Sequence, residues 1–179
     1  MSKFNFEEGA ISGFFTLSRD SFEDHRGSFS RLYSRPNFFD NSNFLGIENV
    51  NLSVNPKKYT LRGFHYSEID ANETKIFCCV SGGIFNVTID VRKNSETYGQ
   101  KQIIELSASD NISIIVPSGC ANAWMTMQTD TRIVYLVSSE YQFDKERGIR
   151  YDDPILDIKW PAVPMWISEK DLSWSPFTF

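Results

Sequence analysis

Nine short runs rich in Val, Ile, Thr, Phe and Tyr recur along the chain with turn-forming residues between several of them. They are Gly13–Leu17, Gly27–Ser34, Glu48–Val54, Lys75–Val80, Ile84–Val91, Gln102–Leu106, Ile112–Val116, Ala123–Met127 and Arg132–Ser138. β-Branched and aromatic side chains fit a pleated, half-buried surface, so each run reads as a strand. Gly82-Gly83, Ser109-Asp110-Asn111 and Gln128-Thr129-Asp130 have the chemistry of tight connections. Strands at this spacing with few helical windows predict an all-β sandwich or barrel. Arg35–Phe44 reads as one short helix. The tail after Asp152 is irregular apart from a last helical turn from Ser168, where Ser-x-x-Asp resembles a capping sequence. No internal repeat or linker interrupts the 179 residues, a length suited to one domain, 1–179, with a sizeable core.

Within this pattern, Ile84–Val91 alternates. Phe85, Val87, Ile89 and Val91 form an apolar face, and Ile84, Asn86, Thr88 and Asp90 a mixed one. The first belongs in a dry core. The second suits a strand that lines a ligand cavity and a strand that faces solvent equally well.

The formal charge of −5 argues against a nucleic-acid binder, because affinity for phosphate backbones needs basic surface. Any anion site must therefore be local. Aromatic residues make up 15% of the chain, enough for packing, interfaces and stacking on flat ligands. Cys78, Cys79 and Cys120 are odd in number and two are adjacent in an apolar run, so they read as reduced core residues rather than a disulfide framework. The first residues carry charge where a signal peptide would be apolar, and no apolar run approaches the ~20 residues of a membrane span. A cytoplasmic protein without membrane contact is expected.

The segment Leu61-Arg62-Gly63-Phe64-His65-Tyr66 places one of only two histidines beside an arginine in a strand-like run. A histidine there could move protons while its neighbour holds an anion. A structural histidine with a surface arginine is the alternative, and the hexapeptide alone leaves both open.

Further pieces lie in order along the chain. They are Asp24-His25-Arg26-Gly27-Ser28-Phe29, Asn51-Leu52-Ser53, Arg62-Gly63-Phe64-His65-Tyr66, Asp90-Val91-Arg92 with Ser95-Glu96-Thr97-Tyr98-Gly99, and Val116-Pro117-Ser118-Gly119-Cys120-Ala121. Tyr135 with Tyr141, Glu146-Arg147-Gly148-Ile149, Asp152-Asp153-Pro154 with Trp160-Pro161, and Ser168-Glu169-Lys170-Asp171 follow. In order and spacing these resemble the dTDP-4-dehydrorhamnose 3,5-epimerase family over about residues 10–172.

The resemblance implies a cupin-type jelly roll of two antiparallel sheets around a ligand cavity, a homodimer, and a nucleotide-diphospho-sugar substrate. It implies proton removal next to a C4 ketone and proton return on the opposite face. His65 then resembles the base, Asp171 the carboxylate that orients its ring, and Tyr135 the acid. Histidine, with an unperturbed pKa of ~6.5, accepts protons near neutrality, and a tyrosine of pKa ~10 arrives protonated. Lys75 matches a lysine placed to stabilise the enolate, and Arg26 and Arg62 match positions that grip the diphosphate. Phe29 and Tyr141 are expected to flank the nucleotide, and Asn49, Asn51, Glu146 and Lys170 to contact substrate. No cofactor is implied. A cupin metal site is not expected either, since it collects two or three histidines, whereas His25 and His65 lie in separate segments.

Departures from the family pattern bear on specificity. Asn122 stands where the family has a histidine, Arg31 where it has a nucleotide-contacting glutamate, Phe64 and Ser67 where it has Leu and Gln, and Asn49 where it has Gln. Exchanging a carboxylate for a guanidinium turns an acceptor into a donor. Arg31 and Asn122 motivate the hypothesis of a different nucleotide sugar, CDP- or GDP-linked, inverted at C5 or C3 alone. A nucleotide-sugar 3,4-ketoisomerase and a non-catalytic sugar-binding roll are the alternatives.

Overall fold

The computed structural model describes residues 4–42, 46–68 and 72–177. In chain order they form β1 (Phe4–Glu8), β2 (Phe15–Arg19), β3 (Ser21–Asp24), β4 (Gly27–Ser30), α1 (Arg35–Ser42), β5 (Asn49–Asn55), β6 (Leu61–Ser67) and β7 (Lys75–Ser81). After these come β8 (Gly83–Asp90), β9 (Lys101–Ser107), β10 (Ile112–Val116), β11 (Cys120–Thr126), β12 (Thr131–Val137), β13 (Glu146–Gly148) and α2 (Glu169–Leu172).

One sheet has the order β1-β2-β10-β7-β12-β5, the other β13-β6-β11-β8-β9, and β3 pairs with β4 as a separate hairpin. The ladders are antiparallel, as in the two-sheet roll expected. From β5 to β8 the chain changes sheet at every step, so neighbours in sequence face each other across the interior. One expected strand is shorter and one strand was not expected. Gly27–Ser34 is extended only to Ser30, and β1 adds an edge strand whose Glu7 and Glu8 are exposed. Charged residues are tolerated there because an edge strand meets solvent. The expected helix Arg35–Phe44 is present as Arg35–Ser42, and Phe44 lies outside the described residues.

Each sheet has buried side chains on both of its faces. Phe77, Cys79, Ile114 and Ile133 of the first meet Ile84, Leu106, Cys120 and Trp124 of the second. Strand alternation turns Ile76 and Cys78 to the opposite side, where they pack with Phe4, Leu17 and Phe38. The adjacent cysteines therefore enter different clusters, and all three are free and buried. Phe38 of α1 sits edge-on to Phe4 and Phe6 at 5.2 and 5.4 Å. Truncating it to alanine would cost about 3–5 kcal/mol.

The irregular tail covers the outer face of the second sheet, with Ile149, Leu156 and Phe177 over Phe64, Val87, Ile89 and Ala123. The Asp153 carboxylate pins it by accepting from the backbone N–H groups of Ile155, Leu156 and Phe177 at 2.8, 3.1 and 2.6 Å. Asn86, Thr88 and Asp90 are fully buried, which overturns the solvent-facing reading of β8. Their face turns toward the interior, and Thr88 donates to Asn122 Oδ1 at 2.8 Å. Among the described residues no helix is long and apolar enough to cross a membrane.

One strand is inverted. In β5 the inward positions Asn51, Ser53 and Asn55 are polar, while Val50, Leu52 and Val54 point outward at 64%, 60% and 49% exposure. Polar side chains facing inward at a sheet edge are the mark of a wet interior, and one end of the roll is indeed hollow.

Candidate active site

The hollow end is framed by β5, β7 and β12 on one sheet and by β6 and β11 on the other. Gly63 brings β6 close to β11. At φ +111° its backbone suits glycine, and a Cβ would lie 2.5 Å from the Asn122 carbonyl oxygen. In this register His65 stands opposite Asn122, and the β11 ladder shifts between Asn122 and Trp124.

His65 Nε2 lies 2.7 Å from Asp171 Oδ1, closing 106 residues of sequence. The other carboxylate oxygen accepts the Gly63 N–H at 3.2 Å. Asp171 is delivered by α2, whose first turn is capped by Ser168 accepting the Asp171 N–H at 3.0 Å, as the Ser-x-x-Asp pattern predicts. The carboxylate is 4% exposed and the imidazole 32%. Burial works to raise the Asp171 pKa, but the His65 bond and charge and the Gly63 and Ser168 bonds outweigh it, holding the group below its usual 3.8. Asp171 is an anion that fixes the imidazole ring and leaves Nδ1 without a hydrogen bond among the described residues.

Two adjoining cavities, of about 500 and 210 Å³, share His65, Lys75 and Tyr135 in their walls. A third, of about 420 Å³, reaches His65 past Arg62, Trp166 and Lys170. A hollow of about 790 Å³ beside residues 91–96 touches the site through Tyr66 and Ser67, but it lacks the His65–Asp171 pair and Tyr135. His65 lines all three smaller cavities, and Tyr135 two of them.

Tyr135 comes from β12, opposite Asn51 in register, with its ring stacked on Phe77 at 5.6 Å. Burial, opposed by the positive charge of Arg62 and reinforced by the negative charge of Glu73, raises its phenol above the usual 10. It therefore enters the cavity protonated. Asn122 accepts from Thr88, which leaves its amide donors for the cavity. Asn49 and Asn51 line the larger cavity, where Asn49 also donates to the Ser139 carbonyl at 3.2 Å.

Each lysine at the site is paired with a carboxylate. Lys75 meets Glu73 at 2.7 Å, and Lys170 meets Glu146 at 2.7 Å. Glu146 also accepts from Tyr141; burial works to raise its pKa, but the Lys170 and Tyr141 bonds hold it low. The same bond pushes the Tyr141 phenol up to about 12. Arg62 instead donates to the neutral Asn55 Oδ1 at 3.1 Å, with its guanidinium 5.8 Å from the Trp124 ring. It has no carboxylate partner among the described residues, and it is the cation most available to an incoming anion.

Arg26, Phe29 and Arg31 are not brought to this site within one chain. Arg26 is 79% exposed and bonded to Asp24, Phe29 is 64% exposed, and Arg31 is exposed outside the cavity walls. The hairpin that carries them pairs only with itself. Conversely, Glu73, Ser53, Phe77 and Trp124 line the site without having been expected there. Glu73 was detectable in principle, since an acid two residues before Lys75 falls on the same face of an extended chain.

The sequence profile of the dTDP-4-dehydrorhamnose 3,5-epimerase family matches residues 8–178. A dTDP-4-dehydrorhamnose 3,5-epimerase of Sinorhizobium fredii is 36% identical over 153 residues, 85% of this chain and 78% of that protein. A dTDP-4-dehydro-6-deoxyglucose 3-epimerase of a Streptomyces species is 32% identical over 150 residues, covering 83% and 76%. The crystal structure of dTDP-4-dehydrorhamnose 3,5-epimerase from Bacillus anthracis, solved with TDP and PPi bound, superposes with a TM-score of 0.91 at 27% identity, covering 98% of this chain and 100% of that one. With its antiparallel jelly roll, its paired histidine and aspartate, and these matches across nearly its whole length, the chain belongs to the dTDP-4-dehydrorhamnose 3,5-epimerase family.

Proposed function

We propose that residues 1–179 act as one catalytic unit that epimerises a nucleotide-diphospho-4-keto-6-deoxy sugar at C3, C5 or both. The observation that carries this reading is the His65–Asp171 pair and Tyr135 on the walls of shared cavities. His65 takes the proton from the carbon beside the C4 ketone. The C–H electrons move into the ring bond and the C4 oxygen becomes an enolate. The Asp171 anion compensates the imidazolium. Lys75 and the Asn122 amide donate to the enolate oxygen; in other enzymes, loss of one such donor costs about 2.7–4 kcal/mol of barrier. Tyr135 then gives its proton to the opposite face of the carbon. A roll that only bound sugars would have no use for the buried acid behind the histidine.

Arg62 takes the diphosphate, and Tyr141 with Glu146 and Lys170 form the nucleotide end. The relatives above act on dTDP sugars, which makes the dTDP-4-keto sugar the first substrate to test, and a 3-epimerase among them is compatible with inversion at one centre. Arg26, Phe29 and Arg31 can serve only if their hairpin reaches a second copy. The outward stripe Val50, Leu52 and Val54 on an edge strand suits a homodimer contact. Three buried free cysteines fit the reducing cytoplasm.

The test is incubation of dTDP-4-keto-6-deoxyglucose with the enzyme in deuterated water, with label located by NMR. Deuterium at C3, C5 or both is expected. His65→Asn should abolish exchange while dTDP still binds. Tyr135→Phe should keep exchange on one face and lose inversion, a drop of roughly 10²–10⁴ in product formation. Exchange that survives His65→Asn would sink the proposal.

A further inference from the structure

Glu73 lies in the wall of the larger cavity, and the proton transfer, which uses Asp171, leaves it without a task. Its side chain is 8% exposed, and one oxygen, Oε1, accepts from both Lys75 Nζ and Ser67 Oγ at 2.7 Å. Ser67 ends β6 and Lys75 begins β7, so one carboxylate oxygen ties the two sheets together beside Tyr135.

A buried carboxylate is costly unless paired, and breaking such a pair is costly too. A lysine ammonium is a mobile point charge on a flexible stem. In a cavity that admits a diphosphate, a loose ammonium would be drawn to the phosphates, the strongest negative charge on the ligand. Arg62, held by a neutral amide, is free to meet them, whereas Lys75 is already engaged.

We infer that Glu73 is a positioning residue, pinning the Lys75 ammonium at the Tyr135 end of the cavity so that it serves the enolate oxygen and leaves the diphosphate to Arg62. The inference rests on the epimerase reading. It predicts that Glu73 acts on the rate of carbon–hydrogen exchange, through Lys75, with little effect on nucleotide affinity.

Glu73→Gln keeps the shape of the side chain and removes its charge. In the deuterium-exchange assay kcat is expected to fall about tenfold or more, less than the 10²–10³ typical for outright loss of a donor. KM and the affinity for dTDP should stay within about twofold, and the melting temperature should be little changed. Adding Glu73→Gln to Lys75→Ala should slow the enzyme no further than Lys75→Ala alone, because residues that act through one another are not additive. Ser67→Ala, which removes the other anchor, should cause a smaller loss in the same direction. Parental kcat in Glu73→Gln, a raised KM with kcat intact, or losses that multiply in the double variant would overturn the inference while the epimerase stands. A parent enzyme that exchanges no deuterium would overturn both.

Discussion

Replacing Asp171 by asparagine tests the core of the reaction in a nearly isosteric way. Asparagine can keep the Gly63 N–H bond through its carbonyl oxygen, but its NH2 group must then face His65 Nε2. A donor there forces Nε2 to be the acceptor and places the proton on Nδ1, the nitrogen turned from Asp171. The imidazole then has no lone pair to offer the substrate carbon. The charge is lost as well. Two unit charges 2.7 Å apart attract by ~6 kcal/mol at an effective dielectric of 20. With the imidazole 32% exposed, screening reduces this to roughly 4 kcal/mol, about three decades in rate at 1.36 kcal/mol per decade. The same exchange in a serine-protease triad lowers kcat about 10⁴-fold through the wrong tautomer. Asp171→Asn should therefore slow deuterium incorporation by about 10³–10⁴-fold. Calorimetry should show dTDP binding within severalfold of the parent, because the nucleotide end does not involve this pair. Exchange within tenfold of the parent would refute the argument that Asp171 governs the tautomer and charge of His65.

Four further outcomes are expected. Gly63→Ala should lower stability by about 3 kcal/mol or leave the protein unfolded, since its Cβ would lie 2.5 Å from a backbone oxygen at φ +111°; thermal melts would show it. Arg62→Lys should raise KM and Kd for dTDP by about tenfold with a smaller change in kcat, because an ammonium cannot reproduce a planar bidentate grip. At Asp90, burial works to raise the pKa, but bonds from Arg92, Ser95 and Thr97 overcome it and hold the carboxyl well below the usual 3.8. Its stabilisation is fully present above that ordinary value and is lost as pH falls through the depressed one. Asp90→Asn should thus lower stability near neutrality, by about 3 kcal/mol, and flatten its fall in acid, as read from urea melts across pH. Leu52→Asp should yield monomers by sedimentation if the exposed β5 stripe is the subunit contact, and should weaken dTDP binding by withdrawing the partner's hairpin.

Much of the architecture could be read from pattern alone. The Ile84–Val91 alternation defines β8, and the Ser-x-x-Asp cap starts α2 one residue after Ser168. Both depend on forces within a few residues: the pleat sets side-chain direction and the hydroxyl meets the N–H three positions on. Which face of β8 was wet could not be read this way. Burial of Asn86, Thr88 and Asp90 follows from the other sheet and the tail closing over both sides, a long-range event. β1 escaped notice for a similar reason, since its charged edge is stabilised by pairing with β2 rather than by its own composition.

At the site, the family resemblance of the ordered motifs singled out His65, Tyr135, Asp171, Lys75 and Arg62, side chains whose functional groups suit proton transfer and phosphate binding. The same resemblance placed Arg26, Phe29 and Arg31 in that company, yet the hairpin holds them away from the cavity of their own chain. Only the fold joined His65 to Asp171 across 106 residues, paired Lys75 with Glu73, and left Arg62 without a carboxylate. The amino-acid order determines which groups are present and which way each strand turns them. Distance, burial and charge pairing arise when the two sheets close, because electrostatic coupling depends on separation in space and on exclusion of water.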